Sequence, residues 1–327
     1  MRLSVLDLAP VSSDRTPAQA LEASTELARA AEELGYHRYW VAEHHGMPGI
    51  ASSAPAVLIA HLAAATRTLR IGSGGVMLPN HAPLVIAEQF ATLEALNPGR
   101  IDLGLGRAPG TDQITARALR RGADADDFPQ ELAELRAYLA GTGRVKAIPA
   151  NDTSPEIWLL GSSGFSARLA GLLGLPFAFA HHFSGDNTLP ALQLYRDSFQ
   201  PSEILDAPYA MVTAAVICAD TTQEAVRLAA PMRLAMLNLR RGTPGLLPTP
   251  EQALAYPYTD QENAAIDAFT WSHVIGDPET VKAGLADLAA STAADELMVA
   301  TNVGEPKARL RSHELVASVF SDLGVAS

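Results

Sequence analysis

Apolar runs of strand length alternate with longer helical patterns along almost the whole chain. Residues 3–8 read as a first strand, ended by Pro10. Thr16 and Pro17 open a helix through residue 34, and Gly35 stops it. The unit repeats as strand 38–42 with helix 53–66, then as glycine-interrupted strand 69–78 with helix 83–96. Strand 101–106 follows, then a loop over 108–125 and a helix over 129–139. Strands at 157–160, 177–180, 210–219 and 297–301 are followed by helices at 165–173, 189–199, 222–239 and 306–323. Such alternation predicts α/β architecture with a parallel sheet, and a count of eight closes a (β/α)8 TIM barrel. The expectation is one domain over residues 1–327.

One region breaks the alternation. Residues 241–274 hold Pro and Gly clusters and no clear strand, and 276–290 resemble an extra helix opened by Asp277-Pro278-Glu279. The stretch 241–290 therefore reads as an insertion before the last strand. It is either a structural excursion or a lid over the barrel mouth.

Composition narrows the class. Of 327 residues, 48% are hydrophobic, enough for a large core, and the 18% that are charged argue against disorder. A net charge of −12 disfavours nucleic acid and anionic membranes as partners, so any bound phosphate must be held by local groups. The single cysteine, Cys218, rules out an intrachain disulfide and fits a reducing cytosol. The first residues read as a strand rather than a signal peptide, and no run reaches the ~18 apolar residues of a membrane helix. A cytoplasmic location is expected.

Active sites of such barrels lie at the C-terminal ends of the strands. There the second strand carries Glu43-His44-His45-Gly46. An imidazole can serve as base, acid or hydrogen-bond donor near neutral pH, so His44 and His45 are candidate catalytic residues. Neighbours on a strand point to opposite faces, so the two cannot readily ligate one metal, and no carboxylate–histidine ligand set is evident. The third strand ends in Gly72-Ser73-Gly74-Gly75, which marks a bulge, a close approach or a barrel-corner kink. The fourth ends in Gly104-Leu105-Gly106-Arg107. Its glycines leave room for a flat ring, and Arg107 supplies either an anion-binding cation or a rim salt bridge. After the fifth strand, Gly161-Ser162-Ser163-Gly164-Phe165 opens a helix, whose N-terminal amides and dipole suit a phosphate unless the serines merely cap it. No Walker loop or dinucleotide fingerprint is present. His181-His182-Phe183 ends the sixth strand, where His181 is a candidate for a cofactor wall. Asp7 ends the first strand, as a polar pocket floor or a structural residue. His37, His61, His81, His273 and His313 read as surface or packing residues.

Taken together, these motifs resemble the luciferase-like, flavin-dependent monooxygenases. The likeness spans most of the chain and is densest over residues 36–107, in Tyr-x-x-Tyr-Trp-Val-Ala-Glu-His-His-Gly, Ile-Gly-Ser-Gly-Gly-Val-Met-Leu-Pro-Asn-His and Gly-Arg-Ile-Asp-Leu-Gly-Leu-Gly-Arg. The resemblance implies FMN, used as FMNH2, with O2 as co-substrate and a small organic molecule as the oxygenated substrate. NAD(P)H enters indirectly, through a separate flavin reductase. It also implies that His44 is the catalytic histidine, that Gly74-Gly75 forms the bulge under the flavin ring, and that Arg107 and residues 161–165 hold the phosphate. The family commonly pairs barrels, so a homodimer is expected, with the helix at 83–96 as a candidate face. Two departures stand out. Gly106 occupies a position that can be a reactive cysteine in light-emitting members. Gly161 stands where a phosphate-contacting Glu occurs, leaving that role to backbone amides and serines. Rival readings are hydride transfer with coenzyme F420, a non-catalytic flavin-binding protein and a metal-dependent hydrolase.

Overall fold

The computed structural model describes residues 1–119, 127–149 and 154–321. The strands are β1 (Arg2–Asp7), β2 (Arg38–Val41), β3 (Arg70–Met77), β4 (Ile101–Gly106), β5 (Glu156–Gly161), β6 (Phe177–Phe179), β7 (Ala210–Cys218), β8 (Val274–Gly276) and β9 (Glu296–Ala300). Each of β1 to β7 pairs in parallel with its successor in sequence. β9 then closes the ring between β7 and β1. The result is an eight-stranded parallel barrel with β8 outside it, paired to the far end of β7.

Helices α1 (Pro17–Glu33), α2 (Pro55–Ala65), α3 (Pro83–Leu96), α4 (Gln113–Ala118), α5 (Phe128–Leu139), α6 (Gly164–Leu172) and α7 (Thr188–Ser198) fall between the first seven strands. α8 (Thr222–Arg240), α9 (Pro250–Leu254), α10 (Asp260–Thr270), α11 (Pro278–Thr292) and α12 (Pro306–Ser321) follow. The predicted final helix and the predicted loop over 108–125 each extend a few residues outside the described chain, and the described part of that loop holds the short helix α4, capped by Asp112.

The insertion departs from its sequence reading in two respects. It contains a strand, β8, too short to show a period of two. It also contains two helices, α9 and α10, each opened by a reciprocal capping box, Thr249 with Gln252 and Thr259 with Glu262. The segment is tied down as well. Leu247 exchanges backbone hydrogen bonds with Val11 and Ser13, and the Ser13 hydroxyl donates to Gln252.

Period-two alternation sorts the strand residues into an outer set under the helices and an inner set filling the barrel. The inner set is layered. At the N-terminal ends of the strands, Arg38 donates to Asp102 at 2.9 Å and to Glu296 at 3.0 Å, and Ser4 and Tyr209 also donate to Glu296. Above them Trp40 and Trp158 meet edge to face at 5.3 Å, among Leu6, Ala178 and Met298. Most of the next inward positions toward the C-terminal ends are small, Ala42, Gly74, Gly106, Ala180 and Thr213, with Leu8 and Leu160 as the larger exceptions. With little side chain to fill it, the top of the barrel stays open.

Candidate active site

The opening is a cleft of about 1000 Å³, counted out to its open side, with Leu6, Trp40 and Met298 at its base. Strand parity decides which rim residues enter it. On β2 the inward column runs Trp40, Ala42, His44; on β6 it runs Ala178, Ala180, His182. His44 and His182 therefore line the cleft, while His45 and His181 turn away. Counting from Ala178 and Ala180 finds His182 in the sequence; reading the pair as a unit does not.

The two inward imidazoles are held alike. His44 Nδ1 lies 3.3 Å from the Gly110 carbonyl, and His182 Nδ1 lies 3.1 Å from the Thr213 carbonyl. A carbonyl only accepts, so each Nδ1 carries the hydrogen and each Nε2 is left as an acceptor. Burial lowers the pKa of both. For His44, the Gly110 carbonyl and Glu43 pull against that shift. For His182, which falls to about 4, the Thr213 carbonyl opposes it, while His273, His181 and His44 add to it. Both are neutral at pH 7.

His45 and His81 instead meet at Glu43, whose carboxylate is wholly buried. Their Nε2 atoms lie 2.9 and 3.0 Å from Glu43 Oε1. The Asn80 amide donates to the same oxygen at 3.0 Å, and the Met77 amide donates to Oε2 at 3.1 Å. Burial pushes Glu43 up, but these partners, His81 foremost, hold it below its ordinary value. His81, which the sequence suggested was a surface or packing residue, thus belongs to a cluster that fixes the ends of β2 and β3. Its signal was an isolated buried-type carboxylate, Glu43, needing partners. Among the described residues, no group of three or more His, Cys, Asp or Glu is arranged to hold a metal.

Asp7 does not line the cleft; Leu6 and Leu8 on either side of it do. It accepts from Tyr39 at 2.6 Å, from Arg309 at 2.9 Å and from the Ala9 amide at 2.9 Å, which ties α12 to the first strand. Of the two roles open to it, the structural one matches this geometry. His181 bonds Thr188 at 2.7 Å and sits edge-on to Trp271 at 6.2 Å, between α7 and the insertion.

The opposite wall is glycine and amide. The Gly74–Gly75 peptide is cis, and the β3–β4 register shifts between Gly74 and Val76. A Cβ on Gly74 would come within 2.7 Å of Leu6, one on Gly75 within 2.7 Å of the Gly104 carbonyl, and one on Gly106 within 2.9 Å of Met77 Sδ. Beside this wall, Gly161, Ser162 and Ser163 line the cleft ahead of α6. Ser163 is the N-cap residue, with extended backbone angles, yet it makes no capping bond. By contrast Thr16, Thr221 and Asp277 each cap their helix. The first turn of α6 thus has no side-chain cap, a feature shared with α2, α3, α5 and α7, but unlike them it opens at the cleft. Arg107 reaches the same place, its Cζ 4.1 Å from the centroid of the Phe165 ring.

Known proteins are similar to this chain over nearly its full length. The luciferase-like monooxygenase family matches residues 1–296. Protein YvbT of Bacillus subtilis is 55% identical over 325 residues, covering 98% of this chain and 97% of its own. A luciferase-like monooxygenase of Escherichia coli is 49% identical with the same coverage. The crystal structure of apo-MsnO8, 41% identical, superposes with a TM-score of 0.92 over 98% of both chains.

Proposed function

The chain belongs to the luciferase-like monooxygenase family, and from that premise we propose that it binds reduced FMN at the barrel mouth and oxygenates a small organic substrate. One observation carries this reading: a single cleft combines an uncapped helix start beside a cation, a wall without β-carbons, and a neutral imidazole acceptor. The phosphate would rest on the α6 amides, the hydroxyls of Ser162 and Ser163, and Arg107. Gly74, Gly75 and Gly106 leave the space a planar ring requires. FMNH2, when bound, supplies two electrons, so that one atom of O2 enters the substrate and the other leaves as water.

The rest falls to the chain's own side chains. His44 takes up or returns a proton through Nε2. Leu6, Trp40 and Met298 close the base against water. A separate NAD(P)H:FMN reductase delivers the reduced cofactor. Two barrels pair across α2 and α3, where Val57, Val85 and Leu96 are exposed.

The test is incubation of the protein with FMNH2, 18O2 and a panel of small ketones, aldehydes and thioethers, read by mass spectrometry. One 18O atom in a product formed only with FMNH2 supports the reading. A reaction that runs on reduced F420 without oxygen incorporation contradicts it.

A further inference from the structure

Past the flavin cleft lies a second chamber of about 750 Å³, again counted out to its open side. Leu8, His44 and Phe183 belong to both spaces, so the His44 imidazole stands at the passage between them. The outer walls come from α8, through Met232, Met236 and Leu239, and from the insertion, through Pro244, Gly245 and Leu247. Met47 and Ile50, after β2, complete the apolar surface. Among the described residues no Asp, Glu, Lys or Arg lines this space, in a chain whose net charge is −12. Its one amide side chain is Asn302, just beyond β9. Asn302 makes no hydrogen bond within the protein among the described residues.

These facts select a ligand chemistry. A charged group entering the chamber would lose its hydration and meet no counter-charge. An apolar body loses only unfavourable contact with water, and methionine side chains adjust to its shape. The amide of Asn302 can donate to, or accept from, a single polar group. We propose that this chamber is the substrate site, and that it takes an uncharged, largely apolar organic molecule bearing one carbonyl or hydroxyl group and rejects carboxylates and ammonium ions. The inference rests on the flavin reading only in making His44 the point at which the substrate meets the cofactor.

The experiment measures binding, not turnover. Ligand-observed NMR titrations on the full chain compare 2-heptanone, heptanoate and heptylammonium, each with and without saturating oxidised FMN. The ketone is expected to bind at least roughly tenfold more tightly than either ion, the ions paying for lost hydration. Met236 is half-buried on α8, and Met236→Lys should weaken the ketone and make heptanoate the preferred probe. Asn302→Ala should weaken the ketone severalfold, which keeps the test decisive if the lysine variant does not fold. Heptanoate binding as well as the ketone to the native chain overturns the proposal, as does a ketone affinity indifferent to both substitutions. If FMN fails to bind while the ketone preference holds, the flavin reading falls alone. If FMN binds and the preference is absent, the chamber's assignment falls alone.

Discussion

The guanidinium of Arg107 lies over the ring of Phe165, Cζ to centroid 4.1 Å, and so joins the end of β4 to the first turn of α6. The contact brings a cation to a helix start that has no side-chain cap, which is a seat for a dianion. Arg107→Ala should therefore weaken FMN binding about 10- to 100-fold, the worth of a charge-assisted hydrogen bond. Riboflavin, which has no phosphate, should bind the variant and the native chain alike. Parallel fluorescence titrations with the two flavins check this, and an equal loss for both would remove Arg107 from the phosphate site.

His44→Ala tests the imidazole at the passage between the two chambers. Because Nδ1 is engaged by Gly110, only Nε2 is available for proton transfer. The variant should keep its flavin affinity while product formation falls about 10²- to 10⁴-fold, the usual contribution of a positioned acid or base. Flavin titration beside a product assay separates the two effects.

Acid should destabilise the fold before its carboxylates titrate. Burial lowers His182 to about 4. Burial, with Arg309 nearby, lowers His313 to about 3. Both folded values lie below the ordinary 6.5, so protons bind the unfolded chain more tightly. The stability these groups contribute is complete above about pH 6.5 and is lost as pH falls toward the folded values, at about 1.4 kcal/mol for each unit of depression. Urea midpoints should decline between pH 6.5 and 5, and His313→Leu should make that decline shallower. A flat profile in the native chain would contradict the assignment of these histidines as neutral and buried.

How much of this could be read from the chain depends on periodicity. Most barrel strands and the helices around them carry regular patterns, and even three-residue β6 falls in its place in the strand–helix alternation; helix α3 and strand β4 match their predicted limits residue for residue. The insertion was harder. Strand β8 is only three residues long and pairs outside the barrel, and helix α9 is five residues long and lies among Pro248, Pro250 and Pro257; α10 is as long as α2 but follows them without a strand before it. At the site, adjacent histidines looked equivalent until strand parity sent His44 and His182 inward and His45 and His181 outward. Glu43 and His81 are far apart in sequence, and only closure of β2 against β3 brings them together.

Arg38 offers a test of layering. It is buried at the opposite end of the barrel from the cleft and holds Asp102 and Glu296. Arg38→Met would leave the buried Glu296 carboxylate without its arginine, while Asp102 keeps Arg70, at a cost of about 3–5 kcal/mol. Urea denaturation should show that loss, whereas FMN affinity of the folded variant at low temperature should not change. Weakened FMN binding would mean that the two ends of the lumen are coupled.

The most direct measurement is a crystal structure of the protein grown with saturating FMN. The account predicts the phosphate on the amides that open α6, beside Ser162, Ser163 and Arg107, and the ring against Gly74 and Gly75 with His44 at its edge. Flavin density anywhere else, or a barrel mouth left empty at saturation, would contradict it.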